Sequence, residues 1–223
     1  MTNDELVRKL VRELRPVRRL RGFEWRALAW AAVAFGWMAF VTHALGARPD
    51  LPRKLGETAF LAEGAALLAL LVASARSAFR LSVPGLERAG STRALPLLGL
   101  GAWMLLVIVD PSGRVAGSAS APSFLLPGSP CAWKTIVLVF APALCAFFML
   151  RRAAPLSEGW TGLFALLASG ALAMLGTQVV CRNDSLRHVL VFHVGAVLAA
   201  AAVGMVAGRV FLRRRLRATT RGA

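Results

Sequence analysis

Six stretches of this chain are each close to twenty residues long and almost wholly apolar, and no other feature limits the fold as much: residues 25–45, 58–79, 94–110, 132–150, 159–181 and 188–208. A helix needs about 20 such residues to cross a hydrocarbon core. Lipid offers the backbone no hydrogen bonds, so a spanning segment must be a helix or a strand of a closed barrel. Barrel strands alternate apolar and polar with period two, and these runs do not. The expectation is an all-α membrane protein, a bundle of six transmembrane helices. The composition agrees, with 57% hydrophobic residues and a mean hydropathy of +0.61, against about 45–50% apolar residues in soluble domains. The first run follows a basic start and precedes a weak small-x-small site at Ala44-Leu45-Gly46. It is longer than the roughly 7–15 residues of a signal-peptide core, so it is expected to stay as a span. Pro142 falls inside the fourth run and predicts a kink there, since neighbours can satisfy the freed carbonyl. The third run is the shortest and ends at Asp110-Pro111.

The 27 Lys and Arg set the orientation. With six spans, the N-terminal segment, the 76–93 and 151–158 loops and the C-terminal segment share one side and hold 20 of them; the other side holds 7. Cytoplasmic flanks carry the basic excess, which predicts both termini in the cytoplasm. Residues 1–24 are then a cytoplasmic tail, 25–208 the membrane domain and 209–223 a basic cytoplasmic C-tail. The net charge of +16 is thereby explained by topology and by attraction to anionic lipid of the bilayer. It does not point to nucleic acid, because the positives are dispersed and no zinc-finger, helix-turn-helix or RNP pattern is present.

Trp25, Trp133 and Trp160 fall near the predicted membrane interfaces, as an aromatic belt would. Trp30, Trp37 and Trp103 fall deeper, as packing residues. Gly204-x-x-x-Gly208 fits a close-approach motif and, in a helix this rich in Gly and Ala, is expected to pack within the bundle.

The tail "TNDELVRKLVRELRPVRRLR" reads as a short helix. Thr2 or Asn3 can cap it, and Glu5 lies at the capping-box position from Thr2. Leu6, Leu10 and Leu14, flanked by Val7 and Val11, make one apolar stripe, and Pro16 stops the helix. A helix this short is marginal alone. Its stripe must lie on an anionic membrane surface or in the groove of a cytoplasmic partner; the pattern alone does not choose.

Cys131 precedes the fourth span and Cys181 ends the fifth, so both are expected at the outer mouth, where disulfides persist. Three readings stay open for them: a disulfide or redox pair, metal ligation, or two unrelated residues. His43 and His188 also fall on the outer side and would complete a weak Cys2His2 ligand set, with no tight CxxC or HxxxH spacing behind it. Cys145 lies mid-span as a packing residue. His193, a turn and a half below His188, is expected to face the bundle interior, with Glu63 as a candidate partner.

"ELRPVRRLR" before the first span, "GARPDL" after it, "AFRLSVPG" after the second, "MLRRAAPL" after the fourth and "FHVGAV" in the sixth together resemble the NrsF-type anti-sigma family. The resemblance covers about residues 4–210. It implies a six-span inner-membrane protein that negatively regulates an extracytoplasmic-function (ECF) sigma factor. It implies that sigma factor as the partner of Leu6, Val7, Leu10, Val11 and Leu14, and a sensing or linking role for Cys131 and Cys181. The length and the basic C-tail look most like members that govern light-induced carotenoid genes, which implies repression released by a light, oxidative or envelope stress. Soluble anti-sigma domains are longer than this tail, so residues 80–93, 151–158 and 209–223 are expected to complete the surface.

Nothing in the sequence reads as an enzyme. Asp184, Ser185 and His188 share one loop with no nucleophile elbow, and Gly99-x-Gly101 lacks the third glycine of a dinucleotide site. No cofactor and no small-molecule substrate are expected. Two other classes compete: a small transporter, which would need midplane charges, and a redox- or metal-sensing membrane protein with no sigma partner.

Overall fold

The structure is a computed structural model of the 223-residue chain and describes residues 2–13, 21–86, 90–109, 129–153 and 155–212. Every regular element among them is helical. The tail helix α1 spans Asn3–Glu13. It starts where its caps dictate: the Thr2 N–H donates to Glu5 Oε2 at 2.9 Å, and the Glu5 N–H donates to Thr2 Oγ1 at 3.4 Å. Together they form a reciprocal capping box. Leu6, Val7 and Val11 are exposed; the Leu10 side chain, Leu14 and Pro16 lie outside the described residues.

Six longer helices follow, each long and apolar enough to cross a membrane. They are α2 (Phe23–Leu45), α4 (Thr58–Leu81), α5 (Ser91–Val109), α6 (Ser129–Arg151), α7 (Glu158–Val180) and α8 (Leu186–Leu212), with a short α3 (Leu51–Lys54) after the first. Each coincides with one apolar run of the sequence. The sixth runs four residues beyond the expected limit at 208, because Leu212 is itself buried in the core. Pro142 sits within α6 and Pro96 within α5 without ending either helix. Arg26, Ser82 and Met149 meet at one end of the bundle, the tail end. Arg48, Asp184, Cys131 and Cys181 gather at the other, the cysteine end.

Helix α7 is the axis. Its side chains are buried almost continuously from Thr161 to Val180, and α2, α4, α6 and α8 all pack on it. The reason is its composition: Gly162, Ala165, Ala168, Ser169, Gly170, Ala171, Ala173 and Gly176 leave room for neighbouring backbones, and membrane helices associate through such small faces. The contact with α8 is the tightest. A Cβ on Gly162 would fall inside the van der Waals envelope of the Gly204 carbonyl oxygen, and one on Gly208 would meet the Glu158 carbonyl. The Gly204-x-x-x-Gly208 pair is therefore used within the chain.

Four of the six tryptophans divide as their depth in the sequence suggests, and Trp37 and Trp160 are both half-buried. Trp25 and Trp133 are exposed, while Trp30 and Trp103 are fully buried.

The glycine seam makes a prediction. Gly162→Ala should destabilise the bundle by about 2 kcal/mol, the usual cost of forcing an extra methyl into a packed core. Gly36→Ala, with nothing within 4 Å of the added carbon, should be neutral. Thermal unfolding of the two variants in one detergent checks the contrast.

Candidate functional site

At the cysteine end, four side chains from three helices converge. Cys131 lies in the first turn of α6, Cys181 caps the last turn of α7 with its N–H donating to the Thr177 carbonyl, and His188 and His193 open α8. The Cys131 and Cys181 sulfurs are free thiols 3.6 Å apart. Cys181 Sγ lies 3.5 Å from His188 Nε2, and His188 Nε2 lies 3.2 Å from His193 Nε2. All four ligand atoms fall within 4.8 Å of one another, and three of the four residues are buried.

The two histidines share a face because of a local break in helix geometry. Residues Val189–Val194 form a π-helical segment. On an α-helix, residues five apart point about 140° away from each other. The π segment bonds i to i+5 and so stacks them. The His188 and His193 rings meet edge to face at 5.0 Å, and Phe192 closes over His188 at 5.2 Å. Such π segments occur mostly as single turns at functional sites.

Three of the six distances match the edges of a metal-ligand tetrahedron, and the other three lie within 4.8 Å. Bonds of about 2.3 Å to sulfur and 2.0–2.1 Å to nitrogen, the zinc values, give edges of about 3.8 Å between sulfurs, 3.5 Å between sulfur and nitrogen and 3.3 Å between nitrogens. The three observed edges are 3.6, 3.5 and 3.2 Å. The outer shell also fits. Thr135 Oγ1 donates to the Cys131 carbonyl at 3.0 Å, so it faces His193 Nδ1, 3.4 Å away, with a lone pair. That arrangement favours the proton on Nδ1 and leaves Nε2 free to bind a cation, as orienting partners of ligating histidines do.

The structure brings Cys131, Cys181 and His188 together and replaces His43 with His193. His43 is exposed in the last turn of α2 and has no place in the cluster. The sequence reading placed His193 inside the bundle but not beside His188, because it assumed 3.6 residues per turn throughout. Cys145 packs mid-span with its sulfur 3.9 Å from Met149 Sδ. Glu63 and His193 line one small cavity together with Gln178 and Asn183.

A charged clamp covers the cluster. Arg48, itself buried, forks onto Asp50 at 2.7 and 2.8 Å and onto Asp184 at 2.8 Å through both terminal nitrogens. Its backbone N–H donates to the Val179 carbonyl at 2.9 Å. Lys54 reaches Asp184 at 3.3 Å and Glu57 at 2.8 Å. The link after α7 is thus tied to the link after α2, directly above Cys181. Pattern reading dismissed Asp184 as coincidence; the signal that could have found its role was the charge pair Arg48 and Asp50 in "GARPDL".

Hydrogen bonding to Arg48 lowers the Asp50 carboxyl from 3.8 to about 2, and the Arg48 guanidinium is held protonated by Asp184 and Asp50. Burial pushes the Asp184 carboxyl up, but its contacts with Arg48 and Lys54 together outweigh that and lower it. A carboxyl depressed in the folded state contributes stability above its unfolded value and loses it as pH falls through its folded value. The clamp should therefore hold between pH 7 and 5 and weaken between about pH 4 and 2. Arg48→Gln should cost about 2 kcal/mol, less than a fully buried pair because both carboxylates keep part of their hydration. It should also flatten the acid fall. Unfolding midpoints against pH for the two proteins test this.

No curated protein and no solved structure matches the chain. The family model described as negative regulator of sigma F, NrsF, matches residues 10–213, nearly all of the six-helix frame and all four residues of the cluster. The chain therefore belongs to the NrsF family of negative regulators of a sigma factor.

Proposed function

We propose that the protein is an integral-membrane anti-sigma factor of the bacterial inner membrane. Its termini lie in the cytoplasm, where α1 holds an ECF-type sigma factor away from RNA polymerase, and its cysteine end faces outward as the sensor. One observation carries the partner assignment: in a chain that belongs to a family of sigma-factor regulators, α1 leaves Leu6, Val7 and Val11 exposed on one short helix. An amphipathic helix with anchors at this spacing fits a hydrophobic groove. The 20-to-7 basic asymmetry supports the orientation.

The sensor reading rests on the clustering of Cys131, Cys181, His188 and His193, whose ligand atoms all lie within 4.8 Å of one another. A two-thiolate, two-imidazole site selects borderline and soft cations, zinc or cuprous copper rather than magnesium or calcium. Binding would displace the thiol protons and draw α6, α7 and α8 together at one end. The family supports regulation over catalysis, and no chemical step is needed: a cation that binds one bundle state better than another shifts the population. A tenfold change in sigma affinity takes about 1.4 kcal/mol of coupling.

A second reading shares the same residues. The 3.6 Å between sulfurs would close to about 2.05 Å in a disulfide. Two protons and two electrons would pass to an oxidant such as a quinone, linking repression to oxidative stress. It leaves the facing Nε2 atoms of His188 and His193 without a role.

Affinity purification of the full chain from membranes, with identification of what is retained, tests the function. A sigma factor should be retained by the native chain. Leu10→Asp and Val11→Asp should each weaken retention about tenfold or more, as loss of an interface anchor does, at unchanged membrane abundance. Retention of some other soluble protein, or full sigma retention by both variants, would contradict it.

A further inference from the structure

Helix α6 carries Cys131 at the cysteine end, and α2 leads directly from the N-terminal tail. The two are joined by three hydrogen bonds of one kind. Trp37 Nε1 donates to the Val137 carbonyl at 3.0 Å, Trp30 Nε1 to the Pro142 carbonyl at 2.8 Å and Arg26 Nη2 to the Met149 carbonyl at 2.9 Å. The donors fall in reverse order to the acceptors, as antiparallel helices require. The donors span eleven residues and the acceptors twelve, about 16–18 Å along each axis. The ladder therefore runs over about half of a hydrocarbon core roughly 30 Å thick.

Arg26 is the rung that calls for an explanation. Its side chain is buried, its other terminal nitrogen donates to Ser82 Oγ at 3.2 Å, and its guanidinium carbon lies 5.4 Å from the centre of the Phe79 ring. These partners are a hydroxyl, a carbonyl and an aromatic face. A charge buried within a membrane bundle is costly and marks function more often than stability. Here it grips the ends of α4 and α6 at the root of the tail.

The ladder has a mechanical property that ordinary side-chain packing lacks. Every acceptor is backbone, so its position reports the position of the α6 axis itself. Hydrogen bonds at 2.8–3.2 Å do not survive a slide of one residue rise, about 1.5 Å. Burial makes their loss expensive, because the indole and guanidinium donors would be stranded. Helix α2 must then move with α6 or part from it as a unit. Cys131 sits six residues beyond the Trp37 rung, about 9 Å along α6.

We infer that Trp30 and Arg26 are positioning residues for signalling: they transmit a displacement of Cys131 along α6 to α2, and so to the root of the sigma-binding tail. This rests on the reading of the cysteine end as the sensor. It goes beyond that reading by naming the route.

The test uses the full chain in lipid nanodiscs, with no sigma factor present. A bifunctional alkylating agent, which forms one thioether at each sulfur with loss of one halide and one proton each, locks Cys131 to Cys181. Peptide mapping confirms the lock, and hydrogen exchange is followed over residues 3–13 and 21–30. In the native chain the lock should change exchange in this region by about fivefold, the low end of usual couplings. Trp30→Phe and Arg26→Lys should lock to the same extent yet lose most of the change. Trp25→Phe, altered at an exposed ring on the same turn, should respond as the native chain does. If Arg26→Lys does not accumulate, Trp30→Phe, which keeps an aromatic ring and removes the indole N–H, carries the test with Trp37→Phe.

A native chain that locks without any change over these residues would overturn the inference, as would an undiminished change in Trp30→Phe. Failure to lock at all would contradict the 3.6 Å geometry and overturn the sensor reading with it. Because no sigma factor takes part, a wrong partner assignment leaves the result intact.

Discussion

Everything in this molecule hangs on how closely other helices can approach α7. A helix with Leu or Phe along its faces would hold its neighbours apart, and Cys181 at its end would stand alone. The small residues from Gly162 to Gly176 let α4, α6 and α8 settle against its backbone. In a membrane this packing must supply what the hydrophobic effect supplies in water, because lipid tails are as apolar as the helices. The close approach places the first turn of α6 and the first turns of α8 against the last turn of α7. Cys131, fifty residues before Cys181, then meets the short link between α7 and α8 at one point.

That point is built from a departure in helix regularity. The π segment at Val189–Val194 is what turns His193 toward His188, and Thr135 and the Arg48 clamp hold its surroundings. The clamp matters for access as well as stability. It ties the link carrying Asp184 to the link carrying Arg48 and Asp50 beside Cys181, through ion pairs whose carboxylates are held well below their usual range. The ladder from Trp37 to Arg26 then leads from the same helix that bears Cys131 to the opposite end of the bundle. The cysteine cluster and the root of the tail are thus linked by backbone-directed contacts between α6 and α2.

The six-helix architecture was legible in the sequence because length and hydropathy decide it almost alone, and the reciprocal cap of α1 was legible because Thr2 and Glu5 sit at the right spacing. The nearness of Cys131 and Cys181 was open, since no pattern reports the distance between the ends of two helices. Choosing His43 over His193 followed from depth, since His43 falls at the outer end of a span and His193 inside one, and no residue in "RHVLVFHV" announces the π segment that brings His193 to His188. The partners of Asp184 were hidden because an arginine 136 positions away supplies them. Local propensity reads well from sequence; contacts across the bundle, and breaks in helix period that packing stabilises, do not.

The sensor reading stands or falls on whether Cys131, Cys181, His188 and His193 form one metal site. X-ray absorption on the reduced, full-length protein after titration with zinc decides this. About one ion per chain is expected, with two sulfurs at about 2.3 Å and two nitrogens at 2.0–2.1 Å, and loss of that shell in Cys131→Ser and in His193→Ala but not in His43→Ala. A chain that binds no zinc, or binds it with only oxygen and nitrogen around the ion, or keeps the same shell without His193, would contradict it.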